Sequence, residues 1–134
     1  MKIVKIADGI HMLTMNVEDI LFEGMWEIAN GVTLNSYIVQ GEKTAIIDGV
    51  IGWDGVPETL YKSLEEIGVK PEDIDYLIVN HMEPDHSGWI SNFRKIKDGF
   101  EVVCTDRAAK MLSSFYGEDH IRVVKEGDTL DLGG

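Results

Sequence analysis

The chain's 134 residues are 44% apolar and 27% charged, ordinary values for one globular domain, which excludes a disordered or low-complexity chain. Twelve Lys and Arg against twenty-four Asp and Glu leave a net charge of −12, and so acidic a surface repels phosphate backbones and anionic lipid, so neither nucleic acid nor a membrane is expected as a partner. A lone cysteine, Cys104, cannot close an internal disulfide, and no run reaches the ~18 apolar residues of a membrane span, so a cytoplasmic protein in a reducing compartment is expected.

Met1 to Ile6 lacks the apolar stretch of a signal peptide. Lys2 to Ile6 alternates polar and apolar residues, and Ile10 to Leu13 follows the turn signal Asp8-Gly9, which predicts a hairpin. Leu34 to Val39 and Thr44 to Ile47 predict a second antiparallel pair across Gln40-Gly41-Glu42-Lys43. After Asp48 the pattern changes. Pro57 suits the first position of a helix, Leu60, Leu64 and Ile67 follow at helical spacing, and Gly68 ends the run. Lys62, Glu65 and Glu66 read as the solvated face of that helix. Tyr76-Leu77-Ile78-Val79 is a short, wholly apolar run, as in a strand covered on both faces. A helix is predicted from Asp85 to Ser87 onward, with Trp89, Ile90, Phe93 and Ile96 as its apolar stripe. Glu101 to Cys104 predicts a strand whose last residue is an inert apolar thiol. Thr105 or Asp106 can cap the next helix, whose buried face is Ala108, Met111, Leu112 and Phe115 and which Gly117 closes. Ile121 to Val124 and Thr129 to Leu132 predict two last strands before Gly133-Gly134. Hairpins followed by alternating helices and strands give an α/β class, a sheet with helices packed outside it.

Asn80-His81-Met82-Glu83-Pro84-Asp85-His86 carries the chemistry. It places four potential metal ligands, His81, Glu83, Asp85 and His86, within six residues, directly after the most apolar strand. Pro84 disfavours helix at Glu83, so the segment reads as an extended loop. In extended chain alternate side chains share a side, which would group His81, Glu83 and Asp85 and turn Met82 and Pro84 the other way. The turn into the following helix would bring His86 to the same point. Loops at strand ends are where open α/β sheets hold ligands. Two imidazoles and two carboxylates suit iron, manganese or zinc. The bland alternative is a solvated polar loop with Asp85 capping the next helix. Crowded carboxylates without a cation raise one another's pKa, which favours the metal.

This loop resembles the HxExDH signature of the flavodiiron proteins (A-type flavoproteins), a branch of the metallo-β-lactamase superfamily. Glu83 stands where the hydrolytic branches carry the second His of HxHxDH. Val32-Thr33-Leu34-Asn35-Ser36-Tyr37-Ile38-Val39 looks like the family's early strand, and Ala45-Ile46-Ile47-Asp48-Gly49 like the superfamily's strand ending in Asp. The resemblance implies the first half of a metallo-β-lactamase-like αββα sandwich with a dinuclear site at one edge. It implies that His81 and Glu83 bind one iron and Asp85 a second, which the residue matching His86 ligates in some members. Asp48 would support the metal loop by hydrogen bonding. Met12, Met15, Met25 and Trp26 fall in a segment near the site in such proteins; the alternative for them is plain packing.

The implied reaction is reduction of O₂ to water, of NO to N₂O, or both. Electrons would come from FMN on a flavodoxin-like domain of a neighbouring subunit, in a homodimer or dimer of dimers. Rubredoxin, a related carrier or reduced coenzyme F420 would be the donor. A carboxylate in place of an imidazole adds negative charge and favours the higher oxidation state of iron. A zinc hydrolase needs a Lewis acid and an activated water instead, so Glu83 separates the two chemistries.

The family's two further histidines and bridging aspartate come from the second half of the domain. Residues 1–134 therefore read as a partial metallo-β-lactamase-like domain, with the C-terminal half and the flavodoxin-like domain absent and the isolated chain inactive. His11 and His120 are out of register with the missing ligands and read as surface or core residues. The rival readings are a dinuclear zinc hydrolase of the superfamily and a non-catalytic half-domain that binds metal or a partner.

Overall fold

The computed structural model describes residues 1–18, 21–22, 24–50 and 58–133, Phe22 by its backbone alone. Pro57 and Gly134, singled out in the sequence, lie outside the described residues. Strands β1 (Lys2–Ala7) and β2 (Ile10–Val17) form the first hairpin across Asp8-Gly9. A side chain is impossible at Gly9: its φ is 71°, and a Cβ would lie 2.5 Å from the Gln40 carbonyl oxygen. Strands β3 (Leu21–Phe22) and β4 (Trp26–Glu27) make a separate small hairpin that the sequence did not signal. Strands β5 (Val32–Gln40) and β6 (Thr44–Ile47) form the second expected pair.

Helix α1 (Glu58–Glu66) buries Leu60 and Leu64 and leaves Lys62, Glu65 and Glu66 in solvent. A short 3₁₀ turn (Pro71–Asp73) leads into β7 (Ile74–Ile78). Helices α2 (Pro84–Ser87) and α3 (Ile90–Ile96) follow, then β8 (Glu101–Cys104), α4 (Asp106–Tyr116) and β9 (Ile121–Val123). Thr105 caps α4 by accepting the Ala108 amide, and Gly117 closes it in the left-handed conformation.

The main sheet runs β1-β2-β5-β6-β7-β8-β9. Its first three junctions are antiparallel and its last three parallel, so hairpins give way to helix crossovers along one continuous sheet. Period-two alternation divides its residues between two faces. Leu13, Ile38, Ile46, Leu77 and Val102 join Leu60, Leu64, Trp89, Phe93, Phe100 and Leu112 in the main core, on the face that the helices cover. Ala45, Tyr76 and Val103 make a smaller cluster on the other face, against Val124, Leu130 and Leu132.

Four expectations change. The predicted continuous helix from Asp85 is two helices separated at Gly88-Trp89. Ile96, the last residue of α3, is 40% exposed, because the chain leaves there through an extended Lys97. On α4, Phe115 is 68% exposed while Leu112 is buried and Ala108, Ala109 and Tyr116 pack on the core. The stripe is rotated by one residue from the one expected, with Tyr116 taking the inward place. Thr129 to Leu132 is no strand: its end makes two isolated bonds, from the Lys43 amide to the Leu132 carbonyl and from the Glu42 amide to that of Gly133, both 2.8 Å. A ladder needs a regular series of such bonds, and the β5–β6 turn offers only these.

Candidate metal centre

The candidate ligands lie beyond the C-terminal ends of the parallel strands β6 and β7, where open sheets present residues to ligands. Asp48 follows β6 with φ 52°, the one left-handed non-glycine among the described residues. Aspartate tolerates that conformation better than branched residues do. Each of its polar groups is engaged. Its amide donates to the Ile78 carbonyl at 2.9 Å, and its carbonyl accepts from the Ser36 hydroxyl at 2.7 Å. Oδ1 accepts the Asn80 amide at 2.8 Å, and Oδ2 lies 3.2 Å from Nδ1 of His81. The buried Asp48 thus ties β5, β6 and the segment after β7 together at the first candidate ligand.

That contact assigns the tautomer of His81. A carboxylate only accepts, so Nδ1 carries the proton and Nε2 presents its lone pair. Nε2 lies 3.4 Å from Oε2 of Glu83. In the neutral Nδ1–H tautomer both atoms are acceptors, and a bound cation between them would be met by both. A second pair stands beside the first: Nε2 of His86 is 3.8 Å from Oδ2 of Asp85. The two imidazole rings are 4.3 Å apart, tilted by 50°. The buried Nδ1 of His86 has no hydrogen-bond partner. Mixed nitrogen and oxygen donors fit a metal better than a solvated loop. Among the described residues no three His, Cys, Asp or Glu side chains form a cage by themselves. The four stand as two adjacent pairs, each open to further ligands.

The extended-loop expectation holds only as far as Glu83, whose φ and ψ are −63° and 136°. Pro84 opens α2 at its first position, where its missing amide hydrogen costs nothing, so Asp85 and His86 lie on a helical turn. The alternation that would align Asp85 with His81 and Glu83 is therefore replaced by a two-and-two arrangement. Met82 packs against the main core, as expected of the residue between the first two ligands.

Sequence reasoning missed a clamp on the ligand loop. The His86 carbonyl accepts both the Gly49 amide at 3.1 Å and the Trp89 indole N–H at 3.0 Å. A Cβ on Gly49 would come within 1.8 Å of that indole nitrogen, so only glycine fits. The Asp-Gly pair at the end of a predicted strand was the available signal. Of the other histidines, His120 is exposed, and His11 sits on β2 with a buried, unpartnered Nδ1. Met25 and Trp26, at 68% and 56% exposure, belong to the small hairpin, and Met12 and Met15 are half-buried on β2.

Among the described residues no helix is long and apolar enough to cross a membrane. Residues 29–131 match the metallo-beta-lactamase superfamily. The chain is 33% identical to a nitric oxide reductase of Moorella thermoacetica over 97% of its own length and 33% of that protein's. A flavo di-iron protein variant from Thermotoga maritima superposes with a TM-score of 0.86 at 32% identity, covering 99% of this chain and 34% of that one. The rubredoxin oxygen:oxidoreductase of Desulfovibrio gigas gives a TM-score of 0.80 at 29% identity, over 98% of this chain and 33% of that one. The chain spans 19% to 33% of the length of the curated relatives it matches. By sequence and by fold, the chain belongs to the metallo-β-lactamase superfamily and matches the N-terminal part of the metallo-β-lactamase-like domain of the flavodiiron proteins.

Proposed function

We propose that residues 1–134 are part of a longer cytoplasmic flavodiiron oxidoreductase that reduces O₂ to water, NO to N₂O, or both. In this reading the missing half of the domain supplies further ligands. A flavodoxin-like domain carries FMN, and the intact protein is a homodimer or dimer of dimers served by rubredoxin, a related carrier or reduced F420. The single observation that carries the reading is the pairing of the ligands. His81 with Glu83, and Asp85 with His86, form two adjacent nitrogen–oxygen pairs whose rings are 4.3 Å apart, a partition suited to two ions side by side. The relatives named as a nitric oxide reductase and as a rubredoxin oxygen:oxidoreductase support the reaction class.

His81, Glu83, Asp85 and His86 would hold the iron, which when bound supplies the electrons that reduce the gas. The chain's own residues prepare for that. Asp48 holds the His81 proton on Nδ1 and leaves Nε2 free to ligate. Glu83, 69% exposed, brings a negative charge that favours oxidised iron. Gly49 and Trp89 fix the backbone at His86.

Metal and flavin analysis of the full-length gene product tests the proposal. Iron together with FMN, and O₂ or NO consumption driven by NADH or reduced rubredoxin, is the expected result; zinc without flavin ends it in favour of a hydrolase. Replacing Glu83→Ala in that protein should lower iron occupancy and abolish gas reduction, and unchanged iron and turnover would show that the loop is misassigned.

A further inference from the structure

The buried hydroxyl of Ser87, the last residue of α2, lies 3.1 Å from the Glu83 carbonyl, 3.3 Å from that of Met82 and 3.1 Å from the hydroxyl of Tyr116. Carbonyls only accept, so where the single hydrogen of Ser87 points to the Glu83 or Met82 carbonyl its oxygen accepts from the Tyr116 hydroxyl. A chain of hydrogen bonds therefore runs from the last residue of α4, through Ser87, to the backbone that carries Glu83.

The far end of that chain is itself anchored. Gly117 turns the backbone at φ 67°, and the next residue, Glu118, is buried. Arg94 of α3 grips the Glu118 carboxylate, with Nε 3.3 Å from Oε2 and a second contact from NH2 to Oε1. The same guanidinium stacks 3.7 Å from the centre of the Phe100 ring and donates to the Asp98 and Phe100 carbonyls. The Ser113 hydroxyl donates to the Glu118 carbonyl at 2.7 Å. The end of α4 is thus held from α3, and Tyr116 meets Ser87 from a fixed position.

Resting on the metal-binding reading above, we infer that Tyr116, through Ser87, is a positioning residue for the metal loop: it sets the orientation of the backbone at Glu83 and so the placing of the Glu83 carboxylate against His81. Packing alone does not require the hydroxyl, since a phenyl ring fills the same inward place on α4. The hydroxyl matters only to the hydrogen-bond chain.

The test uses the full-length protein loaded with cobalt(II), whose visible bands report ligand geometry. Tyr116→Phe, Ser87→Ala and the double variant are compared with wild type for those bands, for the rate of cobalt release to EDTA, and for thermal unfolding. The expected result is altered bands and release faster on the order of tenfold in Tyr116→Phe, with little change in melting temperature. The double variant should be no worse than the more affected single one, because both substitutions cut the same chain. Wild-type bands and release in Tyr116→Phe, or purely additive losses, overturn the inference. If Ser87→Ala does not fold, the bands and release rate of Tyr116→Phe decide alone. A wild-type protein that takes up no metal at all sinks the metal-binding reading itself; normal loading with an unaffected Tyr116→Phe sinks only this inference.

Discussion

Asp48 meets two demands that few residues meet together. Its backbone must be left-handed, and its carboxylate must accept from both the Asn80 amide and the His81 imidazole. Asparagine shares the backbone tolerance and nearly the shape, so Asp48→Asn isolates the second demand. Its amide nitrogen, turned toward Nδ1, would donate and drive the His81 proton onto Nε2, the atom proposed to bind metal. The expected loss in metal affinity is about 10- to 100-fold, with the fold retained, measured by chelator competition in the full-length protein. An unchanged affinity would mean that the contact does not control the tautomer. Gly49 is constrained for the opposite reason: the Trp89 indole fills the space a side chain would need.

Elements follow their local grammar where one force dominates and depart from it where two compete. At Pro84 a rule that disfavours helix before proline meets one that favours proline at the first helical position, and both are obeyed, with Glu83 extended and α2 starting at Pro84. Helix α1 shows a cost of packing. The Tyr61 hydroxyl is buried against the core without a partner, and burial pushes its pKa up to about 12 from 10. The sign follows from proton counting. Between those values the unfolded chain has lost the phenolic proton while the folded one keeps it, so this contribution to stability is intact below pH 10 and fades as pH rises toward 12. Tyr61→Phe removes both the ionisation and the unpaired hydroxyl. In denaturant unfolding, Tyr61→Phe should be at least as stable as wild type at pH 9, with the gap widening in its favour through pH 11. A gap that stays constant with pH would show that the hydroxyl reaches solvent. Cys104 is buried at the end of β8 with its thiol pKa raised by burial, consistent with an inert packing residue.

At the scale of the molecule the main sheet is covered unequally. Helices cover one face, while the chain after β9 covers part of the other through Val124, Leu130 and Leu132. Among the described residues the sheet ends in two edge strands, β1 and β9, each paired on one side, with Ile6 55% and Val123 51% exposed. Such edges template pairing with other chains. The charge of −12 opposes that association at a distance and is screened within about 8 Å at physiological salt. Expressed alone, residues 1–134 should therefore self-associate, and more so as salt rises, in sedimentation velocity runs across a concentration series. A monomer at every concentration and salt would show that the edges and the second face are already protected.

Much of this was legible one residue at a time. The HxExDH spacing, the turn at Asp8-Gly9, the capping of α4 by Thr105 and Gly117 and the apolar run of β7 depend on local chemistry that neighbours in sequence decide. Other features depend on partners remote in the chain. The rotation of the α4 stripe, which leaves Phe115 in water, goes with Tyr116 packing on a core built from residues remote in the chain. The local turn at Pro84 splits the ligands two and two, and Asp48 and Gly49 hold both ends of that loop from more than thirty residues away. Sequence by itself determined which groups have the chemistry to bind a metal, because donor type belongs to the side chain. Only the tertiary structure decided how the loop that carries them is held, because that depends on hydrogen bonds and close contacts between segments that the fold brings together.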